Sequence, residues 1–341
     1  MNSDKVQRIV SAAVNGSSIT GVVLAVQHQE KREVFSAGDF KKDEPYFIAS
    51  TTKLYTTAAI FILRKEGLIS LDDTLSKWFD KEFLKGLHVL NGVEYGEGIT
   101  IKHLLTHTSG LPDYFQHKKE NGKSLLEELQ VGIDQSWSFD DAIALTKKMK
   151  PAFVPGTDRK ALYSDSNFQL LGRIIELTTG DSVEAFFEKS LFAPLNLKLT
   201  YMFNGKTAVK KIRFKSVDLH IPKAMASFRA DGGIVSTASE SLIFLKAFFS
   251  GFFFPKEYLK ETHEWNRVMY PIEYGIGYMR FKLPRIFTLF KRVPLIYGHS
   301  GLSGAFEFYC PEKELYLSGS VNQIHSPATS FRMIMKVLMS V

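Results

Sequence analysis

The 341-residue chain is poor in the features that would place it in several large classes of protein. It has one cysteine, Cys310, so no disulfide can form within it. Cys310 follows the apolar, strand-like run Ala305 to Tyr309 and reads as a small buried hydrophobe rather than a nucleophile. The greasiest stretch, Leu242 to Phe254, is too short to span a bilayer and carries Lys246. Met1 to Val14 is polar and amphipathic, without the apolar core or small-residue cleavage site of a secretory signal. The chain as it stands is therefore expected to be soluble, cytoplasmic or exported with its leader removed. No repeat or low-complexity linker divides it. Cofactor spacings are missing too: His263-Glu264 lacks the second histidine of a zinc helix, and Gly122-Lys123-Ser124 and Gly205-Lys206-Thr207 lack the earlier glycine of a phosphate loop. No metal or cofactor is expected. Nucleic-acid-binding signatures are likewise absent, so the formal charge of +7 reads as a solvated basic surface.

What is present is a sizeable apolar fraction, 45%, enough for one large core. Residues 4–14 read as a helix, and Gly21 to Gln27 and Glu33 to Ala37 as strands joined by a hairpin at His28 to Arg32. Ser50 opens a helical run to Glu66, closed by Gly67. The middle of the chain reads as helical. Ser138 with Asp141 forms a capping box for 139–149, and Asn167 to Thr179 is a helix ended by Gly180. Asp181 is expected to cap the next helix, which stops before Pro194. After the helix Thr237 to Phe249, strands are expected at Tyr274 to Lys282, Leu295 to Gly298, Ala305 to Tyr309 and Leu315 to Val321, then a closing helix from Pro327 to Met339. The pattern implies an α+β fold, with one antiparallel sheet built from N- and C-terminal strands, flanking helices, and an inserted, mostly helical region. The expected division is a single catalytic domain over 1–341, with a sheet part at about 1–49 and 232–341 and a helical part at about 50–231.

Three short segments carry chemistry. In Ser50-Thr51-Thr52-Lys53 a serine at a helix start lies one turn from a lysine on the same face. A serine hydroxyl needs a neighbour to take its proton, and a lysine can serve either as a charge that favours the alkoxide or, desolvated, as the base. No other serine in the chain stands three residues before a lysine. Tyr163-Ser164-Asp165 sits on a loop before a helix, where a phenol flanked by cations can act as a base if its pKa is lowered. His299-Ser300-Gly301 ends a strand, where glycine allows close approach and a backbone N–H can stabilise an oxyanion. Read singly, each has a bland alternative: a helix cap, a core tyrosine, a turn. Their order and settings match the Ser-x-x-Lys set of penicillin-binding proteins and β-lactamases.

From about residue 20 to 335 the chain resembles the serine β-lactamase superfamily, in the branch of class C β-lactamases, D-alanyl-D-alanine carboxypeptidases, D-aminopeptidases and lactamase-like esterases. The resemblance rests on Phe47-Ile48-Ala49-Ser50-Thr51-Thr52-Lys53, the run from Ile101 to Pro112, Tyr163-Ser164-Asp165 followed by Leu170-Leu171-Gly172, the run from Asp231 to Thr237, and Gly298-His299-Ser300-Gly301. It implies that Ser50 forms an acyl-enzyme, Lys53 shares its proton, and Tyr163 is the general base. The backbone N–H groups of Ser50 and Leu302 would form the oxyanion hole, and Asp165, His299, Ser300 and Gly301 would contact substrate. His107-Thr108-Ser109-Gly110 would be structural.

Two positions depart from the family's strictest pattern. Asp165 stands where many relatives have asparagine, and an ionised carboxylate accepts but does not donate. His299 stands where lactamases have lysine, giving a weaker, titrating grip on a substrate carboxylate. The expected substrate is thus a small ester or a D-amino-acid amide or peptide, with a β-lactam less favoured. The alternative is a non-hydrolytic penicillin-binding or sensor module on the same fold. Arg280, Lys282, Arg285, Lys291 and Arg292, in the acid-free stretch Tyr274 to Phe306 where Pro284 and Pro294 suggest a protruding hairpin, and the basic stretch Lys198 to Lys223 would, if they flank the cleft, suit anionic substrates or an anionic membrane surface. The sequence leaves the oligomeric state open.

Overall fold

A computed structural model describes all residues except 120–121, 263–264, 283–292 and 326. The expected α+β architecture is present. Among the described residues the main sheet has eight antiparallel strands. In spatial order they are Asn266–Met269, Ile272–Tyr274, Met279–Phe281, Ile296–Ser300, Ala305–Cys310, Leu315–Ser320, Gly21–His28 and Lys31–Gly38. The first and last parts of the chain meet where Gly21–His28 pairs with Leu315–Ser320, in the register Val23 to Ser320 and His28 to Leu315. Gly21 to Gln27 is buried on both faces, because one face meets the helix Ala238–Ser250 and the other meets the terminal helices. The helix Ser3–Ser11, capped by Asn2 accepting from Lys5 N–H, buries Val6 and Val10 in that second layer with Ile334 and Val337.

The central helix, Thr52–Lys65, is buried at every position from Thr52 to Leu63. A helix enclosed all round must satisfy its polar side chains internally. Thr56 Oγ1 donates to Ala230 O at 2.6 Å, and Thr57 Oγ1 donates to Lys53 O at 2.7 Å. Its start is tight: Ala49 has φ +48° and leads into a 3-10 turn over Ala49–Thr51. The capping box at Ser138 and the left-handed Gly180 stop fall where the sequence places them.

Two elements differ from expectation. Ser182, not Asp181, caps the helix Val183–Phe187, its hydroxyl accepting from Ala185 N–H; a π-helical turn over Glu188–Phe192 then carries the chain into a 3-10 turn that includes Pro194. The run from Tyr274 to Lys282 is a hairpin rather than one strand. Gly277, at φ +80°, turns the chain so closely against the central helix that a Cβ there would lie 2.3 Å from Thr57 Oγ1. The hairpin expected between Pro284 and Pro294, with Arg285, Lys291 and Arg292, lies outside the described residues, as does His263-Glu264.

Candidate active site

The site is built where the central helix begins. The left-handed backbone of Ala49 is a conformation that costs an alanine about 1–3 kcal/mol and persists only when its surroundings impose it. It places Ser50, half-buried, at the floor of a cavity of about 400 Å³. One helical turn on, Lys53 is wholly buried. Its ammonium has three protons to donate and three acceptors: Asp165 Oδ1 at 2.6 Å, the Asp231 carbonyl at 2.6 Å and Ser50 Oγ at 3.2 Å. Burial pulls the lysine pKa down, but the charges of Asp165 and Asp231 outweigh it, and the ammonium is held above its ordinary value.

Tyr163 is brought alongside by the segment His107-Thr108-Ser109-Gly110. Leu162 N–H donates to His107 O at 2.9 Å and Ser164 N–H to His107 Nδ1 at 3.2 Å. Since Nδ1 accepts, the ring proton sits on Nε2. Burial and then Lys53 push this imidazole well below its usual value, so it is neutral. Ser109 Oγ donates to Asn167 Oδ1 at 2.6 Å and fixes the start of the following helix. The segment therefore holds the Tyr163 loop and lends no nucleophile. The Tyr163 ring lies 5.2 Å from Lys53 Nζ, and its hydroxyl is hydrogen-bonded to Ser50. Its pKa goes the opposite way from expectation. Burial and then the Asp165 charge push the phenol well above its ordinary value, and the Ser50 hydrogen bond offsets only part of this.

The third wall is the turn after the strand Ile296–Ser300. Ser300, Gly301 and Leu302 line the cavity opposite Ser50. A Cβ on Gly301 would stand 2.4 Å from Ile48 O, so glycine is what lets this turn close on the segment that leads into Ser50. Ser303 Oγ donates to Phe47 O at 2.7 Å and ties the two together. Among the described residues, neither Ser50 N–H nor Leu302 N–H meets a backbone acceptor.

His299 is placed otherwise than expected. It is fully buried and does not line the cavity. Its Nδ1 donates to Ser300 O at 2.8 Å, and its Nε2 accepts from Tyr274 Oη at 3.1 Å. With both nitrogens engaged, burial and then Lys53 push it down to about 3, so it offers no titrating grip at neutral pH.

Two cavity residues escaped the sequence reading, Asp113 and Asp231. Asp231 begins one of the segments that carry the resemblance and Asp113 directly follows another, but no spacing rule links two single acids 118 positions apart in the numbering. Most other walls are apolar, among them Phe115, Leu129, Met225, Phe228 and Ile272. Of the basic side chains noted in the sequence, Arg280 pairs with Glu273, Lys210 with Asp39 and Glu44, and Arg213 with Asp218. Cys310 is buried. No helix among the described residues is long and apolar enough to cross a membrane.

A serine at the head of a buried helix, a lysine one turn later, a tyrosine loop and a glycine turn at a strand end define the penicillin-binding-protein and serine β-lactamase class of fold. The chain belongs to the Beta-lactamase family, whose model matches residues 6–337. It is 28% identical over 172 residues to Penicillin-binding protein 4* of Bacillus subtilis (strain 168), covering 50% of this chain and 34% of that one. It is 24% identical over 323 residues to a putative D-alanyl-D-alanine carboxypeptidase of Escherichia coli O157:H7, covering 83% and 70%. The chain thus spans about a third of the first of these relatives. Among solved structures, a D-stereospecific amidohydrolase from Streptomyces sp. superposes with a TM-score of 0.78 at 25% identity, covering 97% of this chain and 98% of that one.

Proposed function

We propose that the protein is a serine hydrolase that forms an acyl-enzyme at Ser50. The observation that carries this reading is the Ser50 Oγ to Lys53 Nζ hydrogen bond of 3.2 Å at the floor of an open cavity. Ser50 attacks the acyl carbon, and the N–H groups of Ser50 and Leu302 stabilise the oxyanion; a donor of this kind is worth about 2.7–4 kcal/mol in the transition state. Ser300 and Gly301 bound the acyl group.

With Tyr163 a phenol and Lys53 an ammonium, the base must lie further along the hydrogen-bond chain. The Ser50 proton passes to Lys53 Nζ as Lys53 gives one of its own to Asp165 Oδ1. Tyr163 hands its phenol proton to the leaving atom and is reprotonated from Lys53, to which Asp165 returns the proton. Water then repeats the sequence on the ester. The apolar walls favour an ester or amide with an apolar acyl or leaving group. A β-lactam is disfavoured, because the position expected to grip its carboxylate holds His299, which is buried and neutral.

Labelling with a fluorophosphonate, read by peptide mass spectrometry, tests the assignment. Adduct at Ser50 and turnover of p-nitrophenyl butyrate, both lost in Ser50→Ala, are expected. Folded protein without an adduct refutes it, and a single burst without turnover makes the protein a non-hydrolytic module.

A further inference from the structure

A second polar cluster lies behind the cavity rather than in it. Five buried oxygens without a hydrogen-bond partner among the described residues fall together there: both of Glu307 and the hydroxyls of Tyr55, Ser241 and Ser318. Glu307 and Ser318 stand directly opposite each other on neighbouring strands, an arrangement that sets their Cβ atoms about 4.5–5.5 Å apart. Both face the central helix. Ala305, two residues before Glu307 on the same face, packs in the core with Tyr55, whereas Phe306 and Phe308 belong to the opposite layer. The helix Ala238–Ser250 lies over both strands and brings Ser241 to the pair. Tyr55 is stacked on Phe244 of that helix, with ring centroids 3.4 Å apart. The Thr51 and Ser241 hydroxyls are close enough to Glu307 to favour its charged form, but burial outweighs them and holds the carboxyl well above its ordinary range.

A buried carboxyl of this kind must keep a proton or meet a cation. Lys53, the one buried lysine or arginine among the described residues, is taken by Asp165. A proton would satisfy one carboxyl oxygen and leave the hydroxyls as they are. Oxygens gathered together without bonding one another have the spacing of ligands around an ion. A hard cation holds its oxygens at about 2.3–2.6 Å, so ligands at right angles stand about 3.3–3.7 Å apart. A hydroxyl hydrogen bond needs about 2.7–2.8 Å. One carboxylate balances one positive charge, and a divalent ion would leave a charge uncompensated in the core. Consistent with that, no three histidine, cysteine or acidic side chains converge among the described residues.

We propose that Glu307, Ser241, Ser318 and Tyr55 hold a monovalent alkali cation, sodium or potassium, behind the turn that presents Ser50. The ion replaces the carboxyl proton, which leaves to solvent, so the core stays neutral. Thr51 Oγ1 donates to Ile48 O at 3.1 Å and keeps a lone pair for the same ion. The site is thereby tied to the 3-10 turn Ala49–Thr51, which begins at the left-handed Ala49. The cation braces the fold at that turn. It takes no part in acyl transfer, and its binding does not depend on Ser50 being the nucleophile.

The test compares thermal unfolding of the wild type and Glu307→Gln in sodium, potassium and choline chloride at equal ionic strength, so that screening is the same in each. An alkali ion at about tenfold above its dissociation constant should raise the wild-type midpoint by about 2–4 °C over choline. The rise should grow with the logarithm of the ion concentration, and the larger rise names the preferred ion. Glu307→Gln should have one midpoint in all three salts. As a check that does not depend on the variant folding, equilibrium dialysis of the wild type against radioactive sodium should retain one ion per chain, displaced by potassium chloride and not by choline chloride. Equal wild-type midpoints in the three salts, a rise that survives in folded Glu307→Gln, or no saturable retention of sodium overturns the cation site. Fluorophosphonate labelling of Ser50 on the same preparations reads the hydrolase separately.

Discussion

Asp165→Asn is the substitution on which the proton path stands or falls. Asparagine has the same shape, and its carbonyl can still accept from Lys53 Nζ across the 2.6 Å separation. What the fold loses is the counter-ion of a buried ammonium, up to about 3–5 kcal/mol, although Lys53 keeps the Asp231 carbonyl as an acceptor, so the rate is read on protein shown to be folded. The chemical loss is separate. An amide cannot take up a proton at neutral pH, and a positioned general base typically contributes about 10²–10⁴-fold. Yet Asp165 is also the second-largest cause holding the Tyr163 phenol up, so removing its charge makes Tyr163 a better base. The two effects have opposite signs, which makes the experiment decisive. Stopped-flow measurement of the p-nitrophenol burst from p-nitrophenyl butyrate should show acylation slowed by about 100-fold or more, at a temperature where the variant is folded. An acylation rate equal to or above the wild type, in protein that labels at Ser50, refutes the relay and returns the base role to Tyr163.

Other perturbations follow from the same geometry. Lys53→Met leaves Asp165 buried without its cation and should destabilise the protein by about 3–5 kcal/mol; adding Asp165→Asn should recover much of that in urea unfolding, and a double variant no more stable than the single one contradicts the pairing. His299→Gln should flatten the acid limb of stability. The ring ionises at about 3 when folded, against an ordinary 6.5, so the unfolded chain binds the extra proton between those values. The contribution is full above pH 6.5 and is lost on acidification by about 1.4 kcal/mol per pH unit. Parallel urea midpoints for wild type and variant across that window would show that His299 is not the group responsible. Gly301→Ala forces a Cβ to within 2.4 Å of Ile48 O, and the turn must carry Leu302 N–H away from Ser50. A fall of about 10²–10³-fold in kcat/KM is expected, and full esterase activity would remove Leu302 from the oxyanion hole.

The parts of the fold and site that were legible in the sequence are those written in local spacing. Ser50 and Lys53 share a helix face because they are one turn apart, and the Ser138 box and the Gly180 stop are satisfied within four residues. The strand pattern at both ends of the chain carried the sheet. What was not legible depends on distant partners. The hairpin at Gly277 exists because Thr57 of the central helix comes up against it. The direction of the Tyr163 shift depends on burial and on a carboxylate two residues away whose orientation is set by Lys53. His299 was expected to grip substrate, yet Tyr274, from a different strand, holds it inside. Asp113 and Asp231 are the extreme case. Each looks like an ordinary loop acid until Tyr114 and Gln169 fold over Asp231 and the two carboxyls face one cavity.

The pairing of Gly21–His28 with Leu315–Ser320 also sets the order of events during synthesis. The N-terminal hairpin leaves the ribosome first, yet the neighbour that covers its inner edge is made nearly 300 residues later. At typical elongation speeds that is a wait of roughly 15–60 s. Throughout it, Val22, Val23, Leu24 and Val26, all buried in the finished molecule, present an unpaired apolar edge of the kind that recruits other chains. A message stalled shortly before the codon for Leu315 would release a product that has Ser50 but lacks the strand that pairs with Gly21–His28.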